Sequence, residues 1–310
     1  MSKKQTEELS KSKAKRQERQ KEVSKAKRHK LIGKIVGIVV TVVIIAAIVA
    51  AVGLQIYKVA TRTTTSSDFS AGLNEDGTIG EMTDEVFHKG IGSVAERNFR
   101  PHVNCVNITP DQKYLCAVDL GVDQVKIYKF NDETGKIILV DMLRCELESA
   151  PRIIKFSPDG RFAYLICELK NYISVYTYKD GPRGPVFELV QPISTLNEYH
   201  SKGSAACVLR FSRDWNYVLC SNAGDNSVGI FKIDRETGML EKICILPISG
   251  DYPKAADFFP DNRHIMALNH ESNTMTIFRI NYEKKYFSLW GKPLKVETPN
   301  CNLVSEIEEA

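Results

Sequence analysis

Four similar segments follow one another after residue 100, and this repetition constrains the fold more than any other feature of the sequence. They read ITPDQKYLCAVDLGVDQVKIYKF, FSPDGRFAYLICELKNYISVYTY, FSRDWNYVLCSNAGDNSVGIFKI and FFPDNRHIMALNHESNTMTIFRI. The aspartates that they share, Asp111, Asp159, Asp214 and Asp261, are 48, 55 and 47 residues apart. A four-stranded propeller blade has about this length. The repeats therefore predict an all-β protein with the architecture of a β-propeller.

Each repeat contains the signals of four consecutive strands. A short apolar strand ends in a Pro-Asp or Arg-Asp turn, and the second strand follows at once with the composition of a strand buried on both faces. After a polar turn, the third strand alternates apolar and polar residues. The sequences DETG at 132–135 and RETG at 235–238 are typical of hairpin turns and introduce the fourth strand.

The number of blades leaves two arrangements open. Propellers have about four to eight blades, and this chain has four repeats, the opening strand of a fifth at 298–304, and at most one or two outer strands at 86–100. The ring could close tightly with four or five blades. Alternatively, the domain is an incomplete propeller, an arc whose exposed edges can pair with a second chain.

The N-terminal segment has the composition of a membrane anchor. Residues 1–34 contain 13 Lys or Arg and four Glu, whereas the rest of the chain contains 29 Lys or Arg and 34 Asp or Glu. Apolar residues then dominate 35–54, a length that spans the hydrocarbon of a bilayer. We expect a basic cytoplasmic tail at 1–34 and one transmembrane helix at 35–57 in the cell membrane, rather than a cleaved signal peptide. The tail lacks interleaved aromatic residues, so nucleic acid is not an expected partner.

Residues 58–85 are expected to form a flexible linker before the repeat domain at 86–305. The linker is rich in Thr and Ser and has no clear periodicity. Its segment DFSAGLNEDGTIG at 68–80 resembles the leader of membrane-anchored FKBP-type prolyl isomerases of bacteria. No isomerase pocket follows, so this short resemblance implies a common origin rather than an activity.

The cysteines predict buried thiols rather than a metal site. All eight lie in the repeat domain, mostly within predicted strands, and none has a CxxC or Cys/His spacing. Free thiols favour a reducing compartment, whereas the anchor places the propeller outside the cytoplasm. The side of the membrane that holds the propeller stays open.

The repeat region resembles the lactonase family of seven-bladed propellers, whose namesake activity is 6-phosphogluconolactonase. The resemblance rests on HKGIGSVAERNFRPHVNCVNITPDQKYLCAVDLGVDQVKIY, APRIIKFSPDGRFAYLICELKNYISVY, SNAGDNSVGIFKID and DYPKAADFFPDNRHIMALNHES, and it extends from about Phe87 to Val304. It implies a lactone hydrolase that needs no cofactor and acts at one mouth of the central channel. Family members usually carry two or three further blades before this region.

The resemblance implies three catalytic residues. Arg152 and Glu168 fall on polar positions that the family shares, and Asn104 falls where the family has a histidine. Arg152 would bind an anion or the lactone carbonyl, Glu168 would orient water or act as a base, and Asn104 would donate to the carbonyl. Ala223 stands where the family has an arginine.

Three further residues are candidates for binding the substrate. His270 and Glu271 lie in the turn after a second strand, where they could also replace the missing base, and Lys254 precedes that strand. Each could instead be an ordinary polar loop residue, and Arg152 with Glu168 could be a structural ion pair.

Three functions remain open. The first is hydrolysis of a sugar or sugar-acid lactone. The second is a non-catalytic propeller at the membrane that binds a ligand or protein through its rim. The third is a fusion product without activity, in which an anchored leader has replaced the opening blades.

Overall fold

The computed structural model describes residues 67–92 and 100–305. Within these ranges the chain forms β-strands and a single short 3-10 helix at Leu120–Val122. The predicted basic tail and the predicted membrane helix lie outside the described residues. In the part that is described, no helix has the length and hydropathy needed to cross a membrane. The prediction of an all-β propeller architecture is confirmed for the repeat region.

Four antiparallel sheets correspond to the four repeats, and in each sheet the strands are neighbours in their chain order. The first blade contains β3 (Val103–Ile108), β4 (Tyr114–Asp119), β5 (Gln124–Asn131) and β6 (Lys136–Arg144). The second contains β7 (Pro151–Phe156), β8 (Phe162–Cys167), β9 (Tyr172–Gly181) and β10 (Gly184–Ser194). The third contains β11 (Ala206–Phe211), β12 (Tyr217–Asn222), β13 (Ser227–Ile233) and β14 (Leu240–Pro247). The fourth contains β15 (Pro253–Phe258), β16 (His264–Asn269), β17 (Thr274–Asn281) and β18 (Tyr286–Leu289), and β19 (Leu294–Lys295) also pairs with β17.

The shared aspartates form the same turn in every blade. In the second blade, a carboxylate oxygen of Asp159 accepts a hydrogen bond from the backbone N–H of Arg161 at 3.1 Å. The residue between them, Gly160, has a φ of 71°, which glycine adopts without steric cost. The turn then leads directly into the buried second strand. The corresponding carboxylates of Asp111, Asp214 and Asp261 accept from the residue two positions later in the same way.

Apolar side chains fill the spaces between successive blades. Every residue of β8 is buried, as expected for a strand covered on both faces. Three clusters connect the blades in chain order: Ile127 with Leu165, Ile166 with Leu209, and Leu219 with Ile265 are representative members. The sheets are therefore held to one another mainly by hydrophobic packing.

Part of the predicted linker is a β-hairpin, so the expectation of a flexible segment was wrong there. β1 (Ser67–Leu73) and β2 (Ile79–Phe87) pair antiparallel. The hairpin contacts the outer part of the first blade, where the Thr83 hydroxyl donates to the carbonyl of Gly135 at 3.0 Å and the N–H of Ile137 donates to Asp84 at 3.0 Å. Val86 also packs against the apolar cluster of Ala117, Tyr128 and Ile137, but the other contacts are polar, so hydrophobic periodicity did not predict the strands.

A buried ionic cluster connects the hairpin to the first blade. His88 is fully buried, and its two ring nitrogens lie 2.6 Å from carboxylate oxygens of Asp119 and Asp68. The Tyr128 hydroxyl lies 3.0 Å from the second nitrogen. Burial lowers the pKa of His88, but the two carboxylates outweigh that effect and raise it overall. Asp68 belongs to β1 and Asp119 to β4, so the imidazolium bridges the two units.

Candidate active site

Every blade has a β-bulge near the start of its innermost strand. The pairing register skips one residue there, so one residue per blade has no partner on the second strand. Bulges re-aim side chains and are common beside active sites. The bulged residues Asn104, Arg152, Cys207 and Lys254 all line one cavity of about 250 Å³, to which Asn300 also contributes.

Arg152 is held in this cavity from two sides. Its Nε donates to the carbonyl of Cys207 on the third blade at 2.8 Å. Its terminal nitrogen forms an ion pair with Glu168, whose side chain is fully buried, while 27% of the Arg152 side chain is exposed. The structure thus brings together the two residues that the resemblance implied. The guanidinium keeps one side toward the cavity.

Glu168 differs from its expected role. It follows β8, where its N–H donates to the carbonyl of Ala150 at 2.8 Å and its own carbonyl accepts from Ala206 at 3.1 Å. A side chain with no exposed surface cannot contact a solvent molecule in this conformation. The geometry therefore favours Glu168 as a positioning residue that orients Arg152, rather than as the base. A sequence motif shows the residue type but not how deeply the side chain is buried.

Asn104 forms a hydrogen bond with the backbone of the second blade. Its Nδ2 donates to the carbonyl of Arg152 at 3.1 Å. One of its two N–H groups is thereby occupied, and the side chain helps to fix the strand that carries the arginine. Asn104 therefore lies at the predicted place, with a contact that the sequence did not predict.

His270 occupies the position in the fourth blade that Glu168 has in the second. Each follows the second strand of its blade and donates its backbone N–H to an equivalent carbonyl, at 3.0 Å to Tyr252 in the case of His270. The Nδ1 atom of His270 lies 3.2 Å from the carbonyl of Pro299. Because a carbonyl only accepts, Nδ1 carries the proton and Nε2 of the neutral ring is an acceptor. Glu271 is exposed to solvent.

Comparison with known proteins identifies the family. The model of the lactonase family, a seven-bladed β-propeller, matches residues 66–304. The chain is 27% identical over 229 residues to 6-phosphogluconolactonase of Bacillus subtilis, which covers 74% of this chain and 64% of that protein. It is 30% identical over 206 residues to an uncharacterized protein of Staphylococcus saprophyticus, covering 66% of this chain and 58% of that protein. The chain belongs to the lactonase family.

Solved structures agree with this assignment. A periplasmic gluconolactonase of Pseudomonas aeruginosa superimposes with a TM-score of 0.69 at 25% identity, over 76% of this chain and 65% of that one. The chain thus spans less than two thirds of the length of these relatives. The lactonase match begins at residue 66 and so includes 68–80, the segment that resembled the prolyl isomerase leader.

Lys254 adds a second cation to the mouth of the lactonase channel. Its Nζ donates to Oδ1 of Asn300 at 3.2 Å and lies 5.9 Å from the centre of the Tyr252 ring. No carboxylate within the described ranges forms an ion pair with it. Lys254 therefore adds a positive charge beside the ion pair of Arg152 and Glu168.

Sequence reasoning missed a second polar layer deeper in the channel. Arg210 and Lys155 line the same cavity as Arg152, and Nε of Arg210 lies 3.3 Å from a carboxylate oxygen of Asp257. Burial raises the pKa of Asp257, and the charges of Arg210 and Lys155 only partly oppose it. In a regular strand, side chains three positions apart point to opposite faces, so Lys155 would face away from Arg152. The bulge at Arg152 shifts this alternation, and both side chains line the same cavity. The bulge could not be located from the sequence.

No disulfide joins any of the eight cysteines, all of which lie within the described residues. Cys105, Cys207 and Cys301 line the channel cavity, and burial raises the pKa of Cys105. No cluster of three or more His, Cys, Asp or Glu residues suited to a metal ion occurs in the described parts of the chain.

Proposed function

We propose that this lactonase-family chain hydrolyses a sugar or sugar-acid lactone at the mouth of its channel. The observation that carries the proposal is Arg152, a guanidinium fixed by a buried carboxylate and partly exposed to a cavity that also contains Lys254. Two cations that line one cavity can stabilise the negative charge that develops on a carbonyl oxygen. Two similar proteins are named for lactone hydrolysis, one for a phosphorylated and one for an unphosphorylated gluconolactone.

The proposed reaction assigns one role to each residue. The oxygen of a water molecule forms a bond to the lactone carbonyl carbon while Nε2 of His270 accepts its proton. His270 is not one of the residues that line the cavity, but it contacts Pro299, which precedes the lining residue Asn300. Arg152 and Lys254 stabilise the oxyanion, and Glu168 keeps Arg152 in place. The bond between the carbonyl carbon and the ring oxygen then breaks, and the ring oxygen takes the proton from His270. The product is the open hydroxy acid, and no cofactor takes part in any step.

Membrane anchorage through 35–57 and a cytoplasmic N-terminus belong to the same proposal. They rest on the apolar segment and the basic residues before it. A lactonase domain carried by such an anchor would act close to the membrane. Pairing of two chains through open blade edges stays a prediction, and light scattering of the purified chain measures it.

The experiment is ring opening followed in a pH-stat with the full chain purified in mild detergent. We expect the chain to open 6-phosphogluconolactone or gluconolactone faster than buffer. Arg152→Met should lower kcat/KM by about a hundredfold, the loss typical of removing one oxyanion donor. Arg183→Met removes an exposed arginine in the turn between β9 and β10 and should leave kcat/KM unchanged.

Two results would reject the proposal. One is a wild-type rate equal to that of buffer for every lactone tested. The other is an equal effect of Arg152→Met and Arg183→Met. Because Arg152→Met removes an ion-pair partner of the buried Glu168 carboxylate, the thermal unfolding of each variant is measured first. If Arg152→Met does not fold, Lys254→Gln replaces it, because Lys254 donates to the exposed side chain of Asn300 and not to a buried carboxylate.

A further inference from the structure

The deeper polar layer of the channel is built from equivalent positions of the four blades. Each of its residues lies three positions after a bulge and pairs with the second strand in the same register. These residues are Asn107, Lys155, Arg210 and Asp257. The layer lies inside the mouth that carries the proposed reaction and has no part in it.

Lys155 is the cation of this layer that forms no ion pair among the described residues. Arg210 forms an ion pair with Asp257, with 3.3 Å between Nε and the nearest carboxylate oxygen. For Lys155, no ion pair with a carboxylate is formed within residues 67–92 and 100–305, although its side chain is half-buried in the cavity wall. An ammonium group withdrawn from water usually has a partner of opposite charge. Its absence in a concave site favours an anionic ligand.

The position of Lys155 is central in the channel. Its charge acts on two groups that belong to other blades, the thiol of Cys105 on the first and the carboxylate of Asp257 on the fourth. Lys155 also lines the cavity together with residues from the innermost strands of the other three blades, so it faces the space that these strands share. A ligand that enters the channel from its mouth therefore meets Lys155 after it has passed Arg152.

The spacing of the two layers fits one small molecule. Arg152 and Lys155 are three residues apart on β7, which corresponds to about 10 Å along a strand. A sugar lactone with an anionic group at its far end is shorter than this distance, and the long side chains of Arg152 and Lys155 can span the remainder. With the lactone carbonyl at Arg152, the far end of such a molecule can therefore meet the Lys155 ammonium group.

We propose that Lys155 determines specificity by binding an anionic group, a phosphate or a carboxylate, at the end of the substrate remote from the lactone carbonyl. This inference rests on the proposed function and chooses among lactones that the family resemblance leaves open. Asp257 limits the charge of the layer, because it neutralises Arg210. Removal of the Asp257 charge therefore frees a second cation for the same group.

The experiment compares KM for three lactones that differ at the remote end: gluconolactone, 6-phosphogluconolactone, and a glucarolactone with a terminal carboxylate. Lys155→Gln should raise KM for at least one of the two anionic lactones by about tenfold, the effect of one hydrogen bond to a charged group, and leave KM for gluconolactone unchanged. The anionic lactone that responds more strongly identifies the group. Asp257→Asn should act in the opposite direction and lower KM for that lactone.

The matched control is Lys179→Gln on β9, the third strand of the second blade, where the exposed lysine lies 3.6 Å from Glu188. It should change no KM. Lys254→Gln should lower kcat for all three lactones, because Lys254 acts at the carbonyl. An equal effect of Lys155→Gln on charged and uncharged lactones, or none, would overturn the inference while the proposed function stands.

A wild-type chain that opens no lactone would reject the proposed function and still leave the inference testable. In that case, isothermal titration with 6-phosphogluconate and with inorganic phosphate measures the anion site directly. Binding that Lys155→Gln abolishes and Lys179→Gln preserves supports the inference. If wild type binds neither anion, or if both variants bind equally well, Lys155 is not an anion site.

Discussion

The buried cluster around His88 leads to a sharp prediction about the hairpin formed by β1 and β2. His88→Ala removes a cation that lies 2.6 Å from each of two carboxylates whose side chains are 2% and 0% exposed, those of Asp68 and Asp119. One oxygen of Asp68 already lacks a hydrogen-bond partner in the described structure. Breaking a buried ion pair by removal of one partner costs about 3–5 kcal/mol. Because Asp68 lies on β1, we expect this cost to release the hairpin from the first blade.

Hydrogen exchange of the amides at 67–87 measures the release. A local cost of about 4 kcal/mol corresponds to roughly a thousandfold loss of protection, while the amides of the second and third blades should keep theirs. His88→Gln retains neutral donors and should lose less protection than His88→Ala. His200 is exposed, so His200→Ala should lose none. Unchanged protection of the hairpin in His88→Ala would refute the proposed role of the cluster.

Two further predictions concern pH and packing. The fold raises the pKa of His88 above its ordinary value of 6.5, so the stabilisation by the imidazolium is fully present below about pH 6.5 and is lost as pH rises through the raised pKa. The difference in urea midpoint between wild type and His88→Gln should therefore shrink between neutral and alkaline pH. A difference that grows over this range would contradict the expected sign. Gly121→Ala would place a methyl carbon 1.7 Å from the carbonyl oxygen of Arg100, so the backbone must move and we expect a loss of about 1–3 kcal/mol, measured by urea unfolding. Gly72→Ala has no atom within 4 Å of the added carbon and is the control, which should cost clearly less.

The repeats predicted the blades because each blade has a local signature in the sequence. The turn aspartates, such as Asp159, bind backbone groups two residues away, and the second strands are apolar throughout. The hairpin at 67–87 has neither signal. Its attachment depends on hydrogen bonds to Gly135 and Ile137 and on the ionic cluster of His88, which are contacts between distant parts of the chain.

The candidate site was predicted in part for a related reason. The resemblance implied Arg152 and Glu168, and the structure pairs them. It could not show that Glu168 is fully buried, which depends on the strand of the third blade that covers it. Lys155 was missed because the bulge at Arg152 changes which face the following residues take. A bulge of this kind has no reliable signal in a single sequence.

The central claim is that Arg152 and Glu168 act as one unit in opening a lactone. A double-mutant cycle with Arg152→Met, Glu168→Gln and the double variant, measured as kcat/KM for ring opening by the full chain, tests it most directly. Residues that act as a unit show strongly non-additive effects, so we predict that the double variant loses little more activity than Arg152→Met alone. Losses that multiply, or a wild-type rate no faster than buffer, would contradict the account.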